Sequence, residues 1–576
     1  MLLKILFLFI ALLSLFQDKS QGQHIPFAAN KTLTWEQCIA TCKALDEESE
    51  FAQLEEYGTT DIGKPLHLFI INKDKVFYPE LFDREKTVIL INNAIHPGEP
   101  DGVDASLMLS RELLDKKNPL HELLNHVIIC IIPIYNVDGA LNRGSFSRAN
   151  QDGPEEYGFR GNARNLDLNR DFIKCDSENA KSFSKIFRTV RPHVFVDTHV
   201  SNGADYPYTM TLISTQSDKL GGAMGEFMRM KLSPALFKRM EEKNHTMCPY
   251  VNTMGRTPES GLVEFLETPR FASGYAGLFN TFSFITETHM LKPFAQRVES
   301  TYQFFVSMIE YCRDDGVAIR EAKRQADLAL LSQKDFALGW ELDTARKDII
   351  NFSGYEAKQK PSNVGAGERM YYDHSSSYAK PVNYFNRYKQ GVVVAAPAFY
   401  IIPQAWREVI ERLKCNHVLM KRIERDTLMQ VFVYYIEDLK TGEEPYEGHY
   451  NHRDTEVRKA MQSVQLFKGD YIIPTQQEAK RYLVEVLEPQ SEDGFFAWNF
   501  FDSVLQQKEW FSDYVFEEKA EELLKNDSKL KADFDKVMTE DEELKNSHWM
   551  QLYWIYQRSP YFEKSAYRYP VFRMEN

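Results

Sequence analysis

Of the 14 histidines, one opens a His-x-x-Glu, His96-Pro97-Gly98-Glu99. A catalytic zinc takes three protein ligands and keeps one position open, and two histidines with one glutamate are a common set. The motif follows an apolar run over 87–95 (TVILINNAI). His96 and Glu99 would then stand where a buried strand opens into a loop, the carboxyl edge at which open α/β sheets bind ligands. A third ligand should come from another strand end. His199 is the best candidate, because it closes Val196-Asp197-Thr198-His199 after an apolar stretch, and Asp197 could orient its ring. His-x-x-Glu alone is a weak signal. A second pair, His121 and His126, mimics the zincin helix motif, but these residues are five apart and do not share a helix face, so they read as surface or packing.

The neighbouring motifs sharpen this. Pro133-Ile134-Tyr135-Asn136-Val137-Asp138-Gly139 closes another apolar run, Asn165 to Phe172 reads NLDLNRDF, and Phe284-Ile285-Thr286-Glu287-Thr288 ends the last one. With these the chain resembles the zinc metallocarboxypeptidases of the carboxypeptidase A-like fold over roughly residues 30–312. His96 and Glu99 match the family's proximal ligands. His199, 199 − 99 = 100 residues after Glu99, matches the distal one. Asn169-Arg170 matches the Asn-Arg pair, Asp138-Gly139 the Asn-Pro-Asp-Gly segment with Val137 in place of proline, and Glu287 the catalytic glutamate.

The resemblance implies one Zn2+ ion on His96, Glu99 and His199, with Glu287 as general base and acid. It implies a cation for the developing oxyanion, Arg160 first and Arg164 as the alternative. Asn169 and Arg170 would clamp a peptide's terminal carboxylate, since guanidinium meets carboxylate in a forked geometry. Two departures are visible. Phe271 stands where the family commonly has a tyrosine, which leaves Tyr275 as a candidate substrate contact. Asp171 follows the Asn-Arg pair where many members are uncharged, which would weaken the clamp.

Such a site needs a frame. Apolar runs at 87–95, 127–134, 194–196 and 282–286 alternate with helical stripes at 104–114, 178–190 and 299–312. Strands at 51–57 and 66–71 and a helix at 34–45 precede them. The pattern predicts an α/β domain, a carboxypeptidase-like mixed sheet flanked by helices, over 24–312. Residues 313–390 read as a helix followed by a linker or extended cover without clear period. Residues 391–576 read as a mixed or β-rich C-terminal domain of unknown role. It would hold a helix around Trp406–Leu413 stopped by a left-handed Asn416, strands at 428–436 and 482–487, an aromatic cluster at 495–511 that suits a core, and charged helices at 517–546.

Composition bounds the rest. The 576 residues carry a net charge of −14, which argues against nucleic acid as a partner. Hydrophobic residues make up 43%, enough for folded cores. Seven scattered cysteines are no disulfide scaffold. Residues 1–23, with an apolar core at 5–16, read as a secretory signal peptide, and no later run is long enough to span a membrane. The expectation is therefore a secreted or periplasmic zinc carboxypeptidase acting on peptides, without an activation prosegment. The same residues admit a zinc amidohydrolase acting on a non-peptide or cell-wall amide, or, against the presence of every ligand, a zinc-free binding module.

Overall fold

A computed structural model describes residues 25–575; the expected signal segment lies outside them. The central sheet collects strands β1 (Ala52–Thr59), β2 (Pro65–Ile71), β3 (Thr87–Asn92), β4 (Val127–Ile132), β5 (Val194–Ser201), β6 (Met210–Ser214) and β7 (Met247–Pro249). The short β8 (Leu262–Val263) lies outside it, and β9 (Phe282–His289) completes it in the order β1-β2-β4-β3-β5-β9-β6-β7. β4, β3, β5 and β9 run parallel, while β2 joins β4 and β6 joins β9 antiparallel. The sheet is mixed, as the sequence predicts.

Its parallel strands are continuous apolar runs because both faces are covered. Leu66, Leu68, Ile70, Val88 and Leu90 pack with Phe183, Ile186 and Phe187 of the helix Glu178–Val190. Their neighbours Phe69, Ile71, Ile89 and Ile91 point the other way, onto the helices Asp101–Leu114 and Phe294–Ser332.

Helix Phe294–Ser332 runs through residue 312 with only a kink at Asp315, so the expected helix at 299–312 and the one expected after residue 312 are one element. The segment read as a linker is a long antiparallel hairpin, Asp348–Pro361 against Glu368–Phe385, whose end pairs parallel with β8. Its faces are both largely exposed, which is why no period shows in its sequence.

The remaining chain builds a six-stranded sheet in the order Lys421–Arg422, Tyr471–Pro474, Phe399–Ile402, Phe572–Met574, Thr427–Thr441, His452–Leu466. Residues 482–487, expected as a strand, lie in the helix Lys480–Leu487. Seven of its eight residues are buried, so an apolar run there carries neither period clearly. The left-handed residue after the helix Arg407–Cys415 is His417 (φ 54°), not Asn416 (φ −91°). Asn416 instead stays helical enough to bond inward, to Tyr482 Oη and the carbonyl of Arg412. Phe495, Phe496, Trp498 and Phe501 are core, in one continuous cluster with Tyr482, Tyr275 and the sheet's own Leu66 and Ile70. The seven cysteines are all free.

Where the two halves meet, Lys174 is fully buried between Asp171 (2.8 Å) and Asp176 (2.9 Å). Without the cation Asp171 keeps only the Ser177 and Asp176 donors, and Asp176 keeps Arg412 and His449, so Lys174→Met is expected to cost roughly 1–3 kcal/mol, read from the urea midpoint. A loss under about 1 kcal/mol would mean that the acids relax to water.

Candidate metal and active site

β3 ends at Asn92, and the chain turns through Ala94 (φ 54°) into His96. The Glu99 amide donates to the His96 carbonyl at 2.8 Å, closing a turn that aims both side chains at one point. Gly98 lets neighbouring segments pack close on the turn, because a Cβ there would sit 2.6 Å from Arg148 Cδ and 3.2 Å from the Gly158 oxygen. His199 arrives on β5 and Glu287 on β9, directly paired in register.

His96, Glu99 and His199 are 2, 3 and 4% exposed. One ligand atom from each lies within 4.8 Å of the others. His96 Nδ1 is 3.2 Å from Glu99 Oε1, and His199 Nδ1 is 3.2 Å from Glu99 Oε2. Each ring's other nitrogen meets a carboxylate, His96 Nε2 with Asp167 Oδ1 at 2.9 Å and His199 Nε2 with Asp197 Oδ2 at 2.8 Å. A carboxylate only accepts, so a neutral ring carries its proton on Nε2 and turns the Nδ1 lone pair to the centre. His96 Nδ1 is buried without a hydrogen-bond partner. Lone pairs converging in this way call for a cation, and a tetrahedral zinc with bonds of about 2.0 Å has ligand–ligand edges of about 3.3 Å. These residues fit a zinc ion.

The electrostatics agree. Burial opposes ionisation of Glu99, yet His96, Arg148 and His199 together hold its carboxyl well below the usual carboxylate range. Burial likewise opposes a charged His199, but Asp197, Glu99 and Glu287 outweigh it and raise its pKa well above the ordinary value. The protein by itself asks for positive charge at this point, which a divalent ion would supply in the proton's place. Glu287 behaves in the opposite way: burial, helped by Glu99, pushes its carboxyl up to about 7 against the pull of His199, His96 and Arg160.

A cavity of about 420 Å³ opens on this cluster, and Arg160, Asn169, Arg170 and Glu287 all line it. Arg160 is held by Asp167, through Nε at 3.0 Å and Nη2 at 2.9 Å. Arg164 is exposed and turned away, donating to the Asp176 carbonyl at 2.8 Å. Asn169 presents a buried, unpartnered Oδ1. Tyr275 is not brought to the site. It is fully buried, with its hydroxyl 2.6 Å from Asn416 Oδ1, because its helix Ala272–Gly277 turns that side chain into the aromatic core. Phe271 does reach the cavity wall, beside Tyr250 and Phe265. Asp171, expected to disturb the clamp, points inward to Lys174 and the Ser177 amide instead. His289 is a bonded core residue, meeting the Ala204 carbonyl at 2.9 Å, and His121 meets that of Leu113 at 2.7 Å.

Two neighbours escaped sequence reasoning. Arg148 Nη1 donates to Glu99 Oε1 at 2.8 Å, and Asp167 joins His96 to Arg160. Asp167 was legible as part of the NLDLNRDF motif, but no spacing marks Arg148.

Residues 38–218 match the family model described as zinc carboxypeptidase. Over this segment the chain is similar to that family. The matched stretch contains His96, Glu99, Asn169, Arg170 and His199, while Glu287 lies beyond it. Among curated proteins, carboxypeptidase 2 of Trichophyton rubrum is 22% identical over 434 residues, covering 71% of this chain and 73% of that protein. Carboxypeptidase 2 of Trichophyton equinum is also 22% identical, over 430 residues, with the same coverage. Among solved structures, a metallo-carboxypeptidase from Pseudomonas aeruginosa, in complex with (2-guanidinoethylmercapto)succinic acid, aligns with a TM-score of 0.37 at 12% identity over 50% of this chain and 70% of its own. Carboxypeptidase A from Helicoverpa armigera aligns with a TM-score of 0.36 at 15% identity over 52% and 75%.

Proposed function

We propose that the protein is a zinc-dependent metallocarboxypeptidase that removes the C-terminal residue of peptides. The observation that carries this reading is that one cavity holds a three-residue metal cluster, an adjacent carboxyl of raised pKa, and two arginines beside an asparagine. His96, Glu99 and His199 would hold the ion, which when bound supplies Lewis acidity and makes water acidic enough to react near neutral pH. Glu287 takes a proton from the attacking water and returns it to the departing amine, a task suited to a pKa near the working pH. Arg160, fixed by Asp167, offers its guanidinium to the oxygen on which negative charge develops. Asn169 and Arg170 receive the terminal carboxylate. We further propose that the chain is exported, on the strength of its apolar amino-terminal segment. Among the described residues no helix is long and apolar enough to cross a membrane.

The test is metal analysis of the purified protein together with hydrolysis of matched peptides bearing free or amidated C-termini. The reading requires about one zinc per chain and strong preference for the free acid. Equal cleavage of the amide would reject a carboxylate clamp.

The cavity wall also holds Glu267 among Ile213, Phe265, Phe271 and Ile285. Burial pushes its carboxyl up to about 8, with His199 and the Ser273 amide pulling downward. A group with a raised pKa is neutral below that value and charged above it. The kcat/KM ratio for peptides ending in lysine over leucine is therefore expected to rise between about pH 7 and pH 9, and to stay flat in Glu267→Gln.

A further inference from the structure

The loop that joins the strands Thr427–Thr441 and His452–Leu466 leaves the C-terminal sheet and touches the Asp167–Arg170 turn of the site. Tyr446 Oη accepts from Arg170 Nε at 2.9 Å, and Glu447 Oε2 accepts from the Asp167 amide at 2.8 Å. His449 Nε2 meets Asp176 Oδ2 at 2.8 Å. The turn is narrow: Tyr446 N donates to His449 O at 2.7 Å, and His449 N returns the bond at 3.1 Å. Its two central residues, Glu447 (φ 50°) and Gly448 (φ 84°), are both left-handed.

Such a turn favours asparagine, aspartate or glycine at its first central position. A glutamate there costs backbone energy, and an outlier of this kind invites a functional explanation. Its carboxylate supplies one by reaching the Asp167 amide, and Asp167 in turn holds both His96 and Arg160.

Arg170 is likewise fixed from several sides. Tyr446 takes Nε, the Asn169 carbonyl takes Nη1 at 2.9 Å, and the guanidinium carbon lies 4.4 Å over the Phe271 ring. Among the described residues no hydrogen bond engages Nη2, which is left for a ligand. Tyr446 is itself braced, stacked on the buried Trp498 at 6.2 Å with Arg270 4.9 Å from that indole, and Arg270 is paired to Asp493 at 2.6 Å.

We propose that Tyr446 and Glu447 are positioning residues: the C-terminal half orients the Asp167–Arg170 turn, and with it the guanidinium that receives the substrate's terminal carboxylate. This rests on the carboxypeptidase reading above.

The test compares the full-length zinc-loaded protein with Tyr446→Phe and Glu447→Asn on one peptide as free acid and as amide, with Tm for each protein. In Tyr446→Phe, KM for the free acid is expected to rise about 10-fold, the loss of one hydrogen bond to a charged donor, while the amide is unaffected and Tm holds. Glu447→Asn suits the left-handed backbone better, so Tm stays level or rises, yet the acid-over-amide preference falls by a similar factor. The proposal is overturned if both variants keep the unaltered preference. It is equally overturned if acid and amide lose rate together with Tm, since that is a structural role. Failure of the unaltered protein to prefer the acid would strike the carboxypeptidase reading first, and the two failures are thus distinct.

Discussion

Glu287→Gln is expected to bind zinc as the unaltered protein does and to lose about 10²–10⁴-fold in kcat, the range a general acid–base group contributes. The substitution preserves shape and leaves the three ligands alone. It removes the one carboxyl that stands beside His199 in register and titrates near neutrality. KM should change little, because in the proposed reaction Glu287 would act on the water and the leaving amine rather than on the terminal carboxylate. Rate measurements on a peptide acid, with zinc content measured in the same preparation, decide the point. Unimpaired turnover at full occupancy would remove Glu287 from the chemistry.

His96→Ala should fail differently. Two of three ligands remain, so the ion is lost or weakly held and turnover falls to background whatever the pH. The variant also frees Asp167 from its bond to the ring. Burial already works against that carboxylate, and His96, Arg160 and Arg170 are what hold its pKa well below the usual range. Stability should therefore drop modestly as well. Atomic absorption on dialysed protein, with and without added zinc, separates this outcome from the first: metal retained and rate lost for Glu287→Gln, both lost for His96→Ala. Full zinc occupancy in His96→Ala would mean that the ion sits elsewhere.

Much of the site was legible because its residues lie at the ends of strands that are buried on both faces. A run such as 87–92 can hardly be anything but a central strand, and the residues after its last apolar position emerge at the sheet's edge. His96, Glu99 and His199 were found in this way, while Glu287 came from the family resemblance. Reading failed where contact comes from far along the chain. Tyr446 lies 276 residues from Arg170 and Glu447 lies 280 from Asp167, and no periodicity reports such a meeting. It failed also where an apolar residue could serve two purposes. Tyr275 has the side chain a substrate contact needs, but Phe172, Phe187 and Phe279 crowd around its ring and claim it for the interior. Asp171 shows the converse, a charge beside a binding motif that local geometry turns towards a buried lysine.

The strand Phe572–Met574 sits in the middle of the second sheet, between Phe399–Ile402 and Thr427–Thr441, with Arg573 paired to the buried Glu488. Those two strands do not pair with each other, so until residues 572–574 have been synthesised the sheet exists as two halves, each with a bare inner edge. A nascent chain would carry both edges for the time needed to make some 130 residues beyond Thr441, and Glu488 would lack its counter-ion until Arg573 is made. A late frameshift or clipped tail would consequently be punished far beyond its length, by clumping of half-built molecules rather than by any fault at the candidate metal site.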